Sequence, residues 1–353
     1  MKVCYAPTYD SEYSRVKIIK QSLIDNGVEI IDCSSKNNTV IGRGIGAFFK
    51  LLKNKSKCDV ILFGFFGQPL VPLIRPFTKK KIVLDAFMST YNTYVEDKKK
   101  VKKGGLLSKF LFYMDKVSCE KSDLILLEND IHILYFCKTF GIKRDKFSSA
   151  LVGADQSLFY PKPSKTNKRF TVEFHGLFIP LQGVEYIVEA AHILKDEDIL
   201  FKMVGNGQTF DASVALANKL GLKNMKFEGR KPLEEMPNYI SGADVGLGIF
   251  GETKKTQFVI PNKAYEIMAM GKPCITADTP AIREILVNKK SAMLCPAKDS
   301  KALAKAILEL KNNKELRDKI AKEGYKVFQE QCTYKQIGKK LKKDMKKLIE
   351  VKK

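Results

Sequence analysis

Ile260-Pro-Asn-Lys-Ala-Tyr-Glu-Ile-Met-Ala-Met-Gly-Lys-Pro-Cys-Ile275 is the stretch on which the reading of this chain turns. Its pattern predicts a short helix that carries one acid, Glu266, and ends at Gly271-Lys-Pro273, followed at once by an apolar strand beginning Cys274-Ile275. Such a helix-to-strand passage is half of a repeating βα unit. At the helix start, Pro261-Asn262, the first backbone N–H groups have no partner within the helix, and the helix dipole adds partial positive charge that suits a phosphate. A carboxylate on the same helix, close to strand ends, suits hydrogen bonding to vicinal hydroxyls such as those of a ribose. Two readings fit these residues: a site for the sugar and diphosphate of a nucleotide-sugar, or a core crossover with one solvated glutamate.

The flanking sequence repeats the same alternation. Before it, strands are expected at Val3–Ala6, Glu29–Asp32, Val60–Gly64, Ile82–Asp85, Leu124–Leu127 and Phe147–Val152. Helices are expected between them near Tyr13–Asn26, Ala47–Lys53, Gln68–Arg75, Lys109–Glu120 and Ile131–Phe140. Asp155–Lys168, with Pro161, Pro163 and small polar residues, reads as a linker. After it, strands at Thr171–His175, Ile199–Val204, Met225–Glu228 and Val245–Gly248 alternate with helices at Gly183–Leu194, Phe210–Leu220 and Glu234–Ser241. Runs of βα units imply parallel sheets covered by helices on both faces. The expectation is therefore two doubly wound domains, 1–160 and 161–330, facing a cleft. A basic helix at 331–353 follows, whose stripe Ile337, Leu341, Met345 and Leu348 packs back on the first domain.

A chain of 353 residues exceeds what one core usually serves, which agrees with two domains. No run of about 18 apolar residues occurs, and Met1-Lys-Val-Cys-Tyr-Ala-Pro7 reads directly as a strand rather than a secretion signal. The eight cysteines are scattered without a Cys-x-x-Cys pair, and the three histidines form no cluster with metal spacing, so reduced thiols and no metal are expected. The net charge of +23 is uneven: +12 over residues 1–165, +4 over 166–330 and +7 over 331–353. That asymmetry points to an anionic partner for the first domain, beside the plainer explanation of lysine-rich solvated surfaces.

With these features in hand, the chain resembles the retaining family 4 glycosyltransferases of GT-B fold. The motifs are Phe174-His-Gly-Leu-Phe-Ile-Pro-Leu-Gln-Gly183, Phe201-Lys-Met-Val-Gly-Asn-Gly207, Phe227-Glu-Gly-Arg230, Ala243-Asp-Val-Gly-Leu247, the Glu266 stretch and Thr279-Pro-Ala-Ile-Arg-Glu284. The resemblance implies a second domain that binds a nucleotide-sugar, with UDP the expected carrier, and a first domain that binds the acceptor. It implies neither a metal nor any cofactor beyond the nucleotide-sugar co-substrate. Glu266 matches the acid that holds the ribose hydroxyls. Gly176 ends the first strand of the second domain, where a small residue lets a diphosphate approach the backbone, and Gly205, in a tight turn after the next strand, is counted with the donor site or is simply a turn. Arg230 lies where the nucleobase is received, or is a solvated surface residue, and Pro261 and Asn262 open the phosphate-facing helix.

The chain departs from the family pattern at three places. Leu177 and Gln182 stand where relatives carry an Arg and a Lys for the diphosphate, so Lys254, Lys255 and Lys263 are the expected substitutes, with a solvated lysine loop as the alternative. Phe258 replaces an acid that contacts the donor sugar in many relatives. In the first domain, Asp85 stands where relatives place a cleft His, and with His132 it is a candidate to accept the acceptor's proton. Arg15 is a candidate for an anionic acceptor, or else a capping or surface residue.

Two segments combine lysines with apolar and aromatic residues: Gly42–Lys57 and Lys98–Phe112. Such segments suit contact with an anionic membrane surface, or are core-facing helices with lysine surfaces. The expected function is metal-independent retaining transfer of a hexose-type sugar from a UDP-sugar to a lipid-linked or glycan acceptor in cell-surface glycan synthesis. The expected place is the cytoplasm, at the inner face of the membrane. The alternatives are a sugar-nucleotide epimerase and a nucleic-acid-directed glucosyltransferase. The second is disfavoured by a Lys-rich surface with no Trp.

Overall fold

The computed structural model describes residues 1–10, 13–163 and 168–350. Its chain divides into two units, Met1–Val152 with the C-terminal segment from Thr333, and Gly153–Cys332. Part of the expected linker, 164–167, lies outside the described residues.

The first unit runs β1 (Lys2–Ala6), α1 (Ser14–Asp25), β2 (Glu29–Asp32), α2 (Val40–Asn54), β3 (Val60–Phe63), α3 (Leu70–Ile74), β4 (Lys81–Asp85), α4 (Leu106–Lys121), β5 (Leu124–Leu127), α5 (Asp130–Phe140) and β6 (Phe147–Ser149). The second runs β7 (Phe170–Leu177), α6 (Val184–Ile193), β8 (Ile199–Asn206), α7 (Phe210–Lys219), β9 (Met225–Gly229), α8 (Met236–Ser241), β10 (Val245–Leu247), α9 (Asn262–Ala269), β11 (Cys274–Ala277), β12 (Met293–Cys295), α10 (Ser300–Asn312) and α11 (Lys314–Val327). The last helix, α12 (Tyr334–Glu350), belongs to the first unit.

Each unit holds one six-stranded sheet, ordered β2-β1-β3-β4-β5-β6 and β12-β11-β10-β7-β8-β9, and every strand pairing is parallel. A sheet covered on both faces demands strands that are apolar on both, and Val60–Phe63 and Leu124–Leu127 are buried at every position. In the second unit Phe174, Phe178 and Phe201 are fully buried, each contributing roughly 1.5–3 kcal/mol of burial. The rings of Phe178 and Phe174 meet edge to face at 5.6 Å.

The chain winds outward from β7 to β9, then returns to lay β10 on the other side of β7. The reversal leaves a crevice outside the C-terminal ends of β7 and β10, where doubly wound sheets take their ligands. In the first unit the equivalent reversal falls between β1 and β3.

Helix α12 seats Ile337, Leu341 and Met345 in the first unit, while Leu348 is only half-buried. It crosses α1 so closely that a methyl group on Gly338 would overlap the Ser22 carbonyl oxygen. Asn26, just past the end of α1, donates to the Lys335 carbonyl at 3.1 Å, and Lys340 and Asp344 bond Ser148.

Three sequence expectations are corrected. The helix expected from Ala47 begins at Val40, because Thr39 caps it by accepting the Gly42 N–H at 3.0 Å. The strand expected over Phe147–Val152 ends at Ser149. The chain passes between units at Val152–Gly153, ahead of the boundary expected at residue 160.

Candidate functional site

The cluster at the switch point of the second sheet starts on β7. Along a strand, alternate residues share a face, so Glu173 and His175 point the same way, and both are buried. His175 Nδ1 lies 2.9 and 3.1 Å from the two Glu173 carboxylate oxygens, and its Nε2 lies 2.7 Å from Glu266 Oε2 on α9. A neutral imidazole donates through one nitrogen only. Facing a carboxylate on each side, the ring is satisfied as imidazolium. Burial alone pushes its pKa down, but Glu173 and then Glu266 overcome that, and it stands at about 9. The Glu266 side chain is 15% exposed, whereas Glu173 is sealed. The relay therefore runs from the sheet interior to a carboxylate that solvent reaches.

Lys263, one turn before Glu266 on α9, supplies the cation. Its Nζ donates to Gln182 Oε1 at 2.5 Å and sits 3.6 Å from the centre of the Phe174 ring. Burial lowers its pKa to about 7, against the pull of Glu173 and Glu266. Gln182 occupies one of the two places where the sequence lacks a cation, so the ammonium arrives there from a different element. A Cβ on Gly176 would stand 3.2 Å from that ammonium, so the C-terminal end of β7 and the cation share one corner. Gly205, expected in a turn, instead pairs with Gly176 near the end of β8, with φ +136°, and a Cβ there would overlap the Gly176 carbonyl. Only glycine fits that approach.

The other sequence candidates fall elsewhere. Pro261 and Asn262 open α9 as expected, Pro261 buried and Asn262 half-buried. Lys254 is exposed and Lys255 half-buried on the 3₁₀ turn Lys254–Gln257, which Thr253 caps. Arg230 is exposed just past β9, at the sheet edge two strands from β7. In the first unit, Arg15 and Asp85 face each other. Nη2 meets Asp85 Oδ1 at 2.8 Å, Nε meets Oδ2 at 3.0 Å, and Nη1 donates to the carbonyls of Ala150 and Leu151. Both side chains are 0% exposed. Neither the acceptor contact expected of Arg15 nor the proton-accepting role expected of Asp85 is open to a pair so sealed and so fully bonded. His132 is likewise buried, its backbone N–H bonded to Asn129 and its ring 5.3 Å from that of Phe136.

Sequence reasoning reached Glu266, Lys263 and Gly176 but missed Glu173, the inner end of the relay. Its signal was an acid inside an otherwise apolar strand, two residues before a histidine. A charge in that setting needs a partner.

Two parallel six-stranded units of this order, with the last helix returned to the first, define the GT-B fold. The same architecture is seen in HepE of Anabaena, solved in complex with UDP. That structure superposes with a TM-score of 0.75 at 13% identity, over 98% of this chain and all of that one. Residues 157–327 match the family model for glycosyl transferases group 1. An uncharacterized glycosyltransferase of Methanocaldococcus jannaschii is 26% identical over 63% of this chain and 65% of its own length. The capsular polysaccharide biosynthesis glycosyltransferase CapM of Staphylococcus aureus is 24% identical over 56% of this chain and half of its own. The matched stretches thus span less than two thirds of either relative. The fold is that of GT-B, and the family match covers residues 157–327, just under half of the chain.

Proposed function

We propose that this protein is a retaining glycosyltransferase of family 4, which moves a hexose-type sugar from a UDP-sugar to a hydroxyl of a lipid-linked or glycan acceptor in surface polysaccharide synthesis. One observation carries the reading: Glu266 and Lys263 stand one turn apart on α9, at the switch point of the second sheet. The carboxylate suits ribose hydroxyls, and the ammonium beside Gly176 at the end of β7 suits a diphosphate. The capsular relative and the UDP bound in HepE support substrate class and donor.

In this mechanism the diphosphate departs as an oxocarbenium-like sugar develops, and the acceptor attacks from the face the leaving group vacates. The departing phosphate takes the acceptor's proton. Lys263 and the α9 N-terminus meet the charge that grows on the leaving group, which is the task a metal would otherwise perform. Binding of the protein to UDP-, GDP- and ADP-sugars, measured by thermal shift with Glu266→Ala in parallel, tests the donor. Proton NMR of the first-formed product reads the anomeric configuration, and EDTA tests metal independence. Conversion of the donor without acceptor would favour the epimerase alternative, and stabilisation by oligonucleotides the nucleic-acid one.

A second feature favours a membrane-bound acceptor. On α2, Ile41 and Phe49 are 77% and 65% exposed, and on α4 Leu106 is 88% exposed, with Ile45, Leu107 and Phe110 also exposed. Helix α3 touches both and exposes Leu73. Lys50 and Lys53 share α2 with these exposed residues and Lys109 shares α4, a combination that suits an interfacial contact with anionic lipid. Among the described residues no helix is long and apolar enough to cross a membrane. Flotation with anionic vesicles but not neutral ones, lost in Ile41→Glu/Phe49→Glu, is the expected result. Equal behaviour of variant and parent would reject the contact.

A further inference from the structure

The relay that ends on Glu266 has more parts than ribose binding requires. A carboxylate on a helix can accept two hydroxyls unaided, yet here one oxygen is already engaged. Glu266 Oε2 takes the His175 Nε2–H at 2.7 Å, and the opposite ring nitrogen is held by a carboxylate with no exposure at all. Burying an acid this deeply in a sheet is costly unless a charged partner compensates it. On the face of β7 that Glu173 shares with His175, that partner is the imidazole, which Glu173 grips with both carboxylate oxygens.

We propose that Glu173 and His175 are positioning residues for Glu266: the imidazolium, anchored on Glu173, fixes Glu266 Oε2 and leaves Oε1 as the oxygen presented to the ribose hydroxyls. The inference rests on the donor-site reading and deepens it. Its physical core is the ring's two-sidedness. As imidazolium, His175 donates to both carboxylates. Once neutral, with its proton on the Nδ1 side, it turns a lone pair toward Glu266, which is repelled and released from its fixed orientation. Glu173 is what keeps the ring charged at neutral pH. The other charged group beside the relay is Lys263 of α9, and Cys274 of β11 lies next to that lysine.

The test is UDP affinity of wild type, Glu173→Gln, His175→Gln and Glu266→Ala by calorimetry at pH 6 and pH 8.5. The ratio of each variant's Kd to the wild-type Kd cancels the titration of UDP itself, and the same ratio measured on a Lys263→Met background removes that of Lys263, whose charge Glu173 also supports. The amide introduced by Glu173→Gln still accepts the Nδ1 proton but no longer holds the charge. The Glu173→Gln ratio is therefore expected near one at pH 6 and about tenfold at pH 8.5. His175→Gln supplies an uncharged N–H to Glu266, so its loss is partial and the same at both pH values. That variant also carries the test if Glu173→Gln does not fold. With three histidines in the chain, ¹⁵N spectra resolve the ring directly. His175 is expected doubly protonated at pH 8 in wild type and to titrate below pH 7 in Glu173→Gln. A flat Glu173→Gln ratio, a pH-dependent His175→Gln ratio, or a singly protonated His175 in wild type at pH 7 overturns the proposal. Unchanged UDP affinity in Glu266→Ala overturns the donor-site reading itself. Loss there with a flat Glu173→Gln ratio overturns the positioning alone.

Discussion

Each unit places an ion pair near the C-terminal ends of its central strands, and the two pairs have opposite characters. In the first unit Arg15 and Asp85 bond each other and two carbonyls with no side-chain exposure. In the second, the His175 relay begins just as deeply at Glu173 but ends on a carboxylate that solvent reaches. On the donor-site proposal, the same sheet type and the same chemistry thus serve cohesion in one place and recognition in the other. Depth of burial does not separate them. What separates them is whether the last group in the network keeps an unspent acceptor at the surface.

The most disruptive way to probe that contrast is to break the sealed pair. Asp85→Ala strands the Arg15 guanidinium in the interior, and a loss of about 3–5 kcal/mol is expected in urea unfolding. Glu266→Ala is its counterpart: little change in urea midpoint, but a loss of about 10–100-fold in UDP affinity, the range for hydrogen bonds to a charged group. If Glu266→Ala unfolds the protein as Asp85→Ala does, the two networks are alike and the contrast fails.

Lys263 sharpens the comparison through pH. Its pKa of about 7 in the free protein lies below the usual lysine value because burial disfavours the charge. A bound diphosphate favours the charge and raises that pKa, so binding draws in a proton wherever the free lysine is neutral. UDP affinity is then expected to fall as pH rises above about 7, with a slope of at most about tenfold per pH unit. Calorimetry at pH 8 in buffers of different ionisation enthalpy should show proton uptake, abolished in Lys263→Met. The smallest effects belong to the exposed cations: Lys254→Ala and Arg230→Ala are each expected to change UDP affinity less than about threefold. A large loss from either would move the diphosphate or the base away from the Lys263 corner.

The fold was legible because strands buried on both faces leave unbroken apolar runs, as Val60–Phe63 and Leu124–Leu127 do. Helix α2 was half hidden. Gly42, Gly44 and Gly46 mimic a loop, and only the Thr39 cap with buried Ala47 and Leu51 reveals that packing overrides their weak propensity. Of the site, Glu266 and Lys263 were legible because they sit on a short helix bounded by Pro261 and Gly271. The pairing of Arg15 with Asp85 was not, since it joins residues 70 positions apart, and no local pattern marks which strand end a distant arginine will reach. Glu173 lay between these cases: its strand was evident, but its partners on α9 come from tertiary folding.

The seam between α1 and α12 bears on how the chain comes into being. Helix α12 leaves the ribosome after every strand of both units, yet its Gly338 must nest against Ser22, near the beginning of the sequence. During synthesis the second unit has all its strands before the first has its final helix. Until that helix emerges, the apolar ground that Ile337, Leu341 and Met345 will cover stays open to water and to other nascent chains. A chain cut short before Ile337 would therefore carry its defect in the half of the molecule synthesised first.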